Sequence, residues 1–162
     1  MVAGMWQHLR SLRGMKNDSR GWIKKLLEEA ENERMHLMIF IEIAKPNAFE
    51  RYLILFAQAV FWNFYFLLYV FFPKIAHRMV GYFEEQAVIS YTQYLEEIDS
   101  GLIENTPAPT TAIEYYGLRT DATLRDAVAR EREDAGGHRD ENHGMADLLG
   151  STRGEPLGNS PQ

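Results

Sequence analysis

The sequence predicts an all-α protein built from four substantial helices. Helix-start and helix-stop residues divide the chain into long segments, no internal repeats are evident, and the connecting loops have lengths that favour antiparallel neighbours. With 162 residues, the chain is long enough for one domain with its own core. We therefore expect a helical domain over 1–149, followed by a disordered tail over 150–162, which is rich in glycine and proline and has no periodicity.

The first two predicted helices lie on either side of a proline. Asp18 or Ser19 can cap a helix that runs to about Lys45 and stops before Pro46. The segment 47–72 that follows is almost wholly apolar and forms the second helix.

The next two helices are separated by a loop that contains proline. Pro73 opens the third helix, which runs to about Ser100 and is ended by the glycine that follows. A short piece at 112–116 comes after the loop. Thr120 or Asp121 then caps a fourth helix, which extends to the end of the domain.

Composition excludes several kinds of site. The chain has no cysteine, so disulfides, zinc–thiolate sites, iron–sulfur clusters and thiol catalysis are ruled out. Any metal must be held by histidine and carboxylates, which suits iron or manganese. The net charge of −6 argues against nucleic acid as a partner.

A Glu-x-x-His motif on the first predicted helix indicates a metal site. Glu33 and His36 lie one helical turn apart and project from one face, so both can reach one metal ion. A second acid–histidine pair, Asp134 and His138, follows about a hundred residues later. Paired Glu-x-x-His motifs, with lone glutamates from two other helices, hold two irons in ferritin-like carboxylate proteins. The acidic run Glu28–Glu31 on the same helix is interpreted as a solvated face that pairs with lysines.

A polar stripe on the third helix supports this interpretation. His77, Glu84 and Tyr91 are spaced by seven residues, so they share one face. Glu84 is expected to bridge metals and Tyr91 to place its phenol near them. His77 lies too far along the helix to bind the same ion. It is expected to orient another side chain or to relay protons. Heptad spacing also arises by chance among polar residues that face solvent. The Glu-x-x-His motif on the first helix favours a functional stripe over this alternative.

The apolar segment 52–72 is long enough to span a bilayer as a helix. Glu33 and His36 precede it and Glu84 follows it, so a spanning helix would separate groups that must share an ion. We therefore expect this helix to lie in the membrane interface, as its many aromatic residues allow, although a buried bundle helix would carry them too.

Several motifs together resemble the alternative oxidases, a family of di-iron ubiquinol oxidases. The resemblance runs from Met1 to about Asp147. The matching stretches are Leu26–Leu37, Ala44–Pro46, Pro73–Arg78, Gly81–Glu85, Ala87–Tyr91, Tyr94–Asp99 and His138–His143.

The resemblance implies a ferritin-like four-helix bundle attached to one leaflet of a membrane. It implies oxidation of ubiquinol by O2 to give water at two non-haem irons, without proton pumping. The expected location is a respiratory inner membrane, either the bacterial cytoplasmic membrane or the mitochondrial inner membrane. Ubiquinol, O2 and the membrane surface are the expected partners, and a homodimer is left open.

The resemblance also assigns roles by position. It implies Glu33, His36 and His138 as iron ligands and Glu84 as a bridge, with Tyr91 as the catalytic tyrosine. The orienting groups around these ligands would be Asn32, Asp134 and His77. The quinol cavity would be lined by Phe83 and Ala87.

The chain departs from the family pattern in its ligands. The family's first helix and the glutamate ligand on its second helix are expected upstream of Met1, so that Met1–Arg13 matches only the end of that second helix. The last family motif is Asp-Glu-x-x-His, and Ala135 stands where its glutamate is expected. Asp134 is a possible substitute with a shorter arm. The stretch Arg130–Glu133 replaces apolar residues, and Gln86 replaces the last of three consecutive glutamates.

These departures leave two functions open. The first is a ubiquinol oxidase with a di-iron centre. The alternative is a catalytically impaired fragment or remnant of the family that acts as a helical protein on a membrane surface. Four of the six expected ligands remain, and each lost carboxylate removes negative charge that would offset two buried cations.

Overall fold

The computed structural model describes residues 1–18 and 20–151, and these residues form an all-α bundle. Within these ranges the β-type pairing of backbone segments is limited to one isolated bridge, between Pro107 and Thr123. The expected tail over 152–162 and the cap expected at Ser19 lie outside the described residues. The helices are α1 Val2–Gly14, α2 Trp22–Ala44, α3 Ala48–Phe71, α4 Pro73–Asp99, α5 Thr110–Tyr116 and α6 Leu124–Ser151.

The four long helices are those that the sequence predicts, but two of their start signals differ. Asp18 accepts from the backbone N–H of Ile23 at 2.6 Å, while the residue at the N-cap position of α2 is Gly21. The cap expected for α6 at Thr120 or Asp121 is wrong. Thr123 and Asp126 form that start instead, because the Asp126 carboxylate accepts from both the backbone N–H and the hydroxyl of Thr123.

Helices α2, α4 and α6 form the part of the bundle that carries the chemistry. Helices α4 and α6 make the most extensive helix–helix contact, and they run antiparallel, as the pairs Asp99–Arg125 and Arg78–Asp147 indicate. Gly81 permits this close approach, because a Cβ there would lie 2.5 Å from the His143 ring. The packing brings the acidic and imidazole side chains of the three helices to a common interior.

Helix α3 starts at a strong local signal and folds back against α4. Asn47 and Glu50 form a capping box, in which each side chain accepts from the other residue's backbone N–H. Tyr65 and Tyr69 are the buried residues of α3, and they join a core with Trp22 and Ala76. Helix α3 also contacts α1, where the rings of Trp6 and Phe66 lie edge to face with 6.2 Å between their centroids.

Most of α3 is exposed and apolar. By length and composition, this helix is long and apolar enough to cross a membrane. Only 11% of its most apolar 18-residue stretch is buried. The exposed side chains include Phe49, Tyr52, Leu53, Leu55, Phe56, Val60, Phe61, Trp62, Phe64, Leu67 and Phe71. A bundle helix would bury such residues, so the interpretation as a buried core helix is wrong for α3.

Candidate metal centre

The predicted ligands of α2, α4 and α6 come together in the bundle interior. The carboxylate of Glu33 lies between two imidazoles, with its Oε1 3.0 Å from His138 Nδ1 and 3.5 Å from His36 Nδ1. The two imidazole rings are 6.3 Å apart between centroids. Glu33 is therefore shared by two groups of side chains, one around His138 and one around His36.

The group around His138 contains two further glutamates. Glu29, Glu84 and His138 each offer a ligand atom, and these atoms all lie within 4.8 Å of one another. The Oε2 of Glu29 is buried and has no hydrogen-bond partner among the described residues. Three ligands of this kind at this spacing can hold one metal ion.

The group around His36 contains Asp134, which is held by several donors. Asp134 Oδ2 accepts from the Tyr116 hydroxyl at 2.8 Å and from Asn32 Nδ2 at 2.7 Å, and it lies 3.1 Å from His36 Nε2. The Asn32 amide also donates to the Tyr115 hydroxyl at 2.9 Å. Asp134 is therefore held by three partners, and both expectations for it, to orient His36 or to replace a missing ligand, stay predictions.

A fully buried glutamate, Glu131, completes the surroundings of His36. Its side chain has no exposed surface, and neither carboxylate oxygen has a hydrogen-bond partner among the described residues. The charges of His36, Asp134 and Glu33 act on it. Ala135, one turn further along α6, is also buried but offers only a methyl group.

A chain of hydrogen bonds connects His77 to the group around His138. His77 is fully buried, its Nδ1 donates to Asn142 Oδ1 at 2.9 Å, and its Nε2 accepts from the Tyr69 hydroxyl at 3.0 Å. The Asn142 amide then donates to Glu29 Oε1 at 2.6 Å, and Gln7 donates to the Tyr69 oxygen at 3.0 Å. Burial lowers the pKa of His77, which keeps the ring neutral and fixes the direction of these bonds. His77 therefore acts on Glu29 through Asn142, consistent with an orienting role.

The interior carries more acid than base. Burial alone would raise the pKa of Glu33, but its contacts with His138 and His36 lower it to about 2. Burial alone would lower the pKa of His36, and its bonds to Asp134 and Glu33 raise it to about 9. Burial, reinforced by the charge of Glu33, raises the pKa of Glu84 to about 7. The carboxylates nearest the imidazoles are thus held as anions, whereas burial raises the pKa of the remaining acids, Glu29, Glu84 and Glu131.

Tyr91 lies beside this interior on α4. Its ring stacks on Phe40 of α2, with 6.0 Å between ring centroids and an angle of 20° between the planes. Burial and then the charges of Glu131, Glu33 and Glu84 raise the pKa of its phenol above the usual range. The phenol therefore keeps its proton and lies where the carboxylates of both groups act on it.

A cavity of about 440 Å³ opens between α1, α2, α3 and α4. Glu29, Glu33 and Glu84 line it at one side, and Phe61 and Phe83 line it at another, with their ring centroids 6.2 Å apart. Phe83 thus lines this cavity, and its role in binding quinol stays a prediction. Ala87, one turn further along α4, is half-buried and is not part of this lining.

Two acids of the centre are missed by sequence reasoning. Glu29 was interpreted as part of a solvated acidic face, which is right for Glu28 and Glu31 but wrong for Glu29, since its Oε2 is buried. The signal was its spacing, because Glu29 precedes Glu33 by one turn. Glu131 precedes His138 by two turns, and it was hidden in a charged run whose other members are exposed.

Known proteins resemble the chain along nearly its whole length. Residues 1–147 match the alternative oxidase family. The chain is 56% identical over 149 residues to a mitochondrial ubiquinol oxidase of Batrachochytrium dendrobatidis, covering 92% of this chain and 47% of that protein. It is 58% identical over 148 residues to mitochondrial ubiquinol oxidase 1a of Arabidopsis thaliana, covering 91% and 42%. It is 53% identical over 161 residues to a mitochondrial ubiquinol oxidase of Mangifera indica, covering 99% and 50%.

The chain spans about half the length of these curated relatives. The family match nevertheless covers nearly all of the chain, and it includes every helix that contributes a side chain to the interior. On this evidence, the chain belongs to the alternative oxidase family.

Proposed function

We propose that this chain carries the metal centre of a ubiquinol oxidase that passes electrons from ubiquinol to O2 at two non-haem irons. Two ubiquinols lose four electrons and four protons, and one O2 takes them up to give two waters, so the reaction balances. The observation that carries the proposal is the pair of side-chain groups around His36 and His138, which share Glu33. Two histidines and a shared glutamate are part of the ligand set of di-iron carboxylate proteins, in which each of two helices carries Glu-x-x-His.

The residues present fit iron. Five carboxyl groups, from Glu29, Glu33, Glu84, Glu131 and Asp134, surround two imidazoles. Carboxylate oxygens of Glu29 and Glu131 are buried without a partner among the described residues, which is costly unless a cation is near. Oxygen and imidazole ligands suit iron, and two divalent ions would offset the acid excess.

Each side chain has a defined task in this proposal. Glu29, Glu84 and His138 would hold one ion and His36 would hold the other. Glu33, rather than the Glu84 expected from the sequence, would contact both, because it lies between the two imidazoles. Asp134 and the Asn142 amide fix the ligands on each side, as hydrogen-bonded partners of metal ligands commonly do. Two bound irons would supply the redox capacity for the four-electron transfer.

The quinol would be oxidised at the apolar side of the cavity. Phe83 offers a ring at its wall, and Ala87 lies next along α4. Tyr91 holds a protonated phenol beside the carboxylates, and we assign it to proton and electron transfer between quinol and centre. The reaction moves no proton across the membrane.

The expected location is the mitochondrial inner membrane, because the relatives compared above are named as mitochondrial ubiquinol oxidases. The exposed apolar surface of α3 supports attachment to a membrane. Attachment without crossing keeps α2 and α4 in one bundle.

Oxygen consumption by the iron-loaded protein tests the proposal. The purified chain, reconstituted with ferrous iron, should consume O2 with a soluble quinol in the presence of cyanide. His138→Ala should lose both iron and activity. Glu133→Gln is the matched control, since Glu133 lies on the same helix, is exposed and pairs with Arg130. This variant should retain the iron and the rate.

One observation favours the alternative, a non-catalytic member of the family. Ala135 is buried on the ligand-bearing face of α6 and offers no oxygen. A protein that binds iron but consumes no O2 with quinol would support that alternative and overturn the oxidase proposal.

A further inference from the structure

Glu131 is a buried carboxylate with nothing in the described protein to satisfy it. Its side chain is 0% exposed, and both oxygens lack a hydrogen-bond partner among residues 1–18 and 20–151. Burying a carboxyl group without a hydrogen-bond partner is costly. A side chain kept in this position in a folded protein therefore points to a ligand.

The burial of Glu131 is selective within its charged run. Arg130 and Glu133 are exposed and pair with each other at 2.9 Å, and Arg132 is exposed as well. The run thus follows helical geometry, with one residue turned inward and three turned to solvent. This accounts for charged residues at positions where the family pattern has apolar ones.

The inward residue lies on the face of α6 that carries His138. Glu131 precedes Ala135 by four residues and His138 by seven, so the three share a face. Its charge interacts with His36, Asp134 and Glu33. Glu131 is therefore directed to the group around His36.

The group around His36 is short of a carboxylate. Asp134 Oδ2 is already engaged by the Tyr116 hydroxyl, the Asn32 amide and His36. Glu33 is shared with the other group. The motif glutamate that would serve here is replaced by Ala135, whose side chain is buried and apolar.

We propose that Glu131 is a metal ligand that supplies to the ion at His36 the carboxylate that position 135 lacks. This rests on the proposed di-iron function and adds to it a ligand displaced by one helical turn. The centre then has a carboxylate from α6 without the family's motif residue, and its acids come from α2, α4 and α6.

Iron content and spectroscopy of two matched variants test this assignment. Glu131→Gln keeps the shape of the side chain and removes its charge, and Glu133→Gln removes the exposed charge two residues away. The wild-type chain and Glu133→Gln should each bind about two irons and show the Mössbauer signature of a coupled pair. Glu131→Gln should retain about one iron and lose that signature.

Folding of the variant is checked in the metal-free state. With chelator present, Glu131→Gln should melt no lower than wild type, because it replaces a buried carboxyl group that has no hydrogen-bond partner among the described residues with an uncharged amide of similar shape. With iron present, it should gain less stability than wild type, since fewer ions bind the folded state. The double variant Glu131→Gln with Ala135→Glu should regain the second iron.

The outcomes separate this assignment from the proposed function. If Glu131→Gln binds two coupled irons as wild type does, or if the double variant stays at one iron, Glu131 is not a ligand. If wild type binds two irons and Glu131→Gln binds one, the assignment holds even where no O2 is consumed and the oxidase proposal fails. A wild-type chain that binds no iron overturns both.

Discussion

At the scale of single residues, the centre depends on polar side chains that hold one another in place between the helices. Glu33 holds two imidazoles, and Asn142 joins His77 to Glu29 through both ends of its amide. Such a network is stable when every member is satisfied and costly when one is removed. Conservative substitutions should therefore distinguish residues that hold the metal centre together from residues that take part in its reaction.

Tyr91→Phe should separate chemistry from metal binding. The ring keeps its stacking on Phe40, and only the hydroxyl beside the carboxylates is lost. In the iron-loaded protein we expect quinol-dependent O2 uptake to fall by roughly 100-fold or more, with iron content unchanged. Tyr82→Phe is the control on the same helix, because Tyr82 is exposed, and it should keep the rate. A Tyr91→Phe variant with full turnover, or one that loses iron, would contradict the role given to the phenol.

Asn142→Ala should destabilise the metal-free protein. The change removes the acceptor for His77 Nδ1 and the donor for Glu29 Oε1, and it leaves both buried groups unsatisfied. We expect the free energy of unfolding in urea to fall by about 2–3 kcal/mol. Asn63→Ala is the comparison, since Asn63 is exposed and its amide donates only to the Ala59 carbonyl of its own helix. Equal losses in the two variants would mean that the network contributes nothing beyond a single exposed bond.

At the scale of helices, the contact between α4 and α6 sets the geometry of the centre. His143 of α6 lies against Gly81 of α4, and its ring is fixed by Arg78, which donates to Nδ1 at 2.8 Å, and by Glu85 at 3.1 Å from Nε2. The edge of the Tyr82 ring also contacts it. A ring held on three sides has little room to move.

Two glycine-to-alanine changes should therefore have opposite effects. At Gly81 the new methyl would meet the His143 ring, force α4 and α6 apart and lower the free energy of unfolding by about 1–3 kcal/mol. At Gly144, an exposed position of α6 with nothing within 4 Å, alanine should raise it by about 0.5–1 kcal/mol through higher helix propensity. Urea unfolding of the metal-free variants measures both. Stabilisation by Gly81→Ala would show that the two helices do not pack at this position.

At the scale of the whole molecule, the sequence predicted the elements and the local spacing of ligands. Proline and glycine marked the ends of α2, α3 and α4 within a few residues, and the one-turn spacing of Glu33 and His36 placed both on one face. Those signals are local. The true start of α6 at Thr123 was missed, because Thr120 and Asp121 offer the same kind of cap chemistry nearby.

The parts that the sequence could not predict depend on tertiary packing. Glu29 and Glu131 stand in charged runs, and only the rotation of α2 and α6 against α4 decides which member of each run is buried. The stripe Glu131, Ala135, His138 and Asn142 has helical spacing, but its polar members do not stand out by hydropathy. The exposure of α3 was likewise open to two interpretations until its neighbours were known.

The packing of the whole molecule also limits how α3 could lie relative to a membrane. Glu33 on α2 and Glu84 on α4 line one cavity, although α3 lies between these helices in the chain. If α3 crossed a bilayer, its two ends would lie on opposite sides, and α2 and α4 would be about 30 Å apart there. Because Glu33 and Glu84 line one cavity, they must lie on the same side of any membrane, so we expect α3 to lie along one surface with its aromatic side chains in the interface.

Thiol labelling on liposomes tests this orientation. The chain has no cysteine, so Ala48→Cys and Lys74→Cys each introduce a single thiol, at exposed positions beside the two ends of α3. Protein bound to the outside of intact liposomes should float with them, and a membrane-impermeant maleimide should label both variants as completely as in detergent.

A transmembrane helix would protect one of the two thiols until the liposomes are permeabilised. That result would place Glu33 and Glu84 on opposite sides, so it would overturn the shared metal centre together with the surface orientation. Failure to float would remove the membrane attachment alone and leave the centre to be judged by its iron.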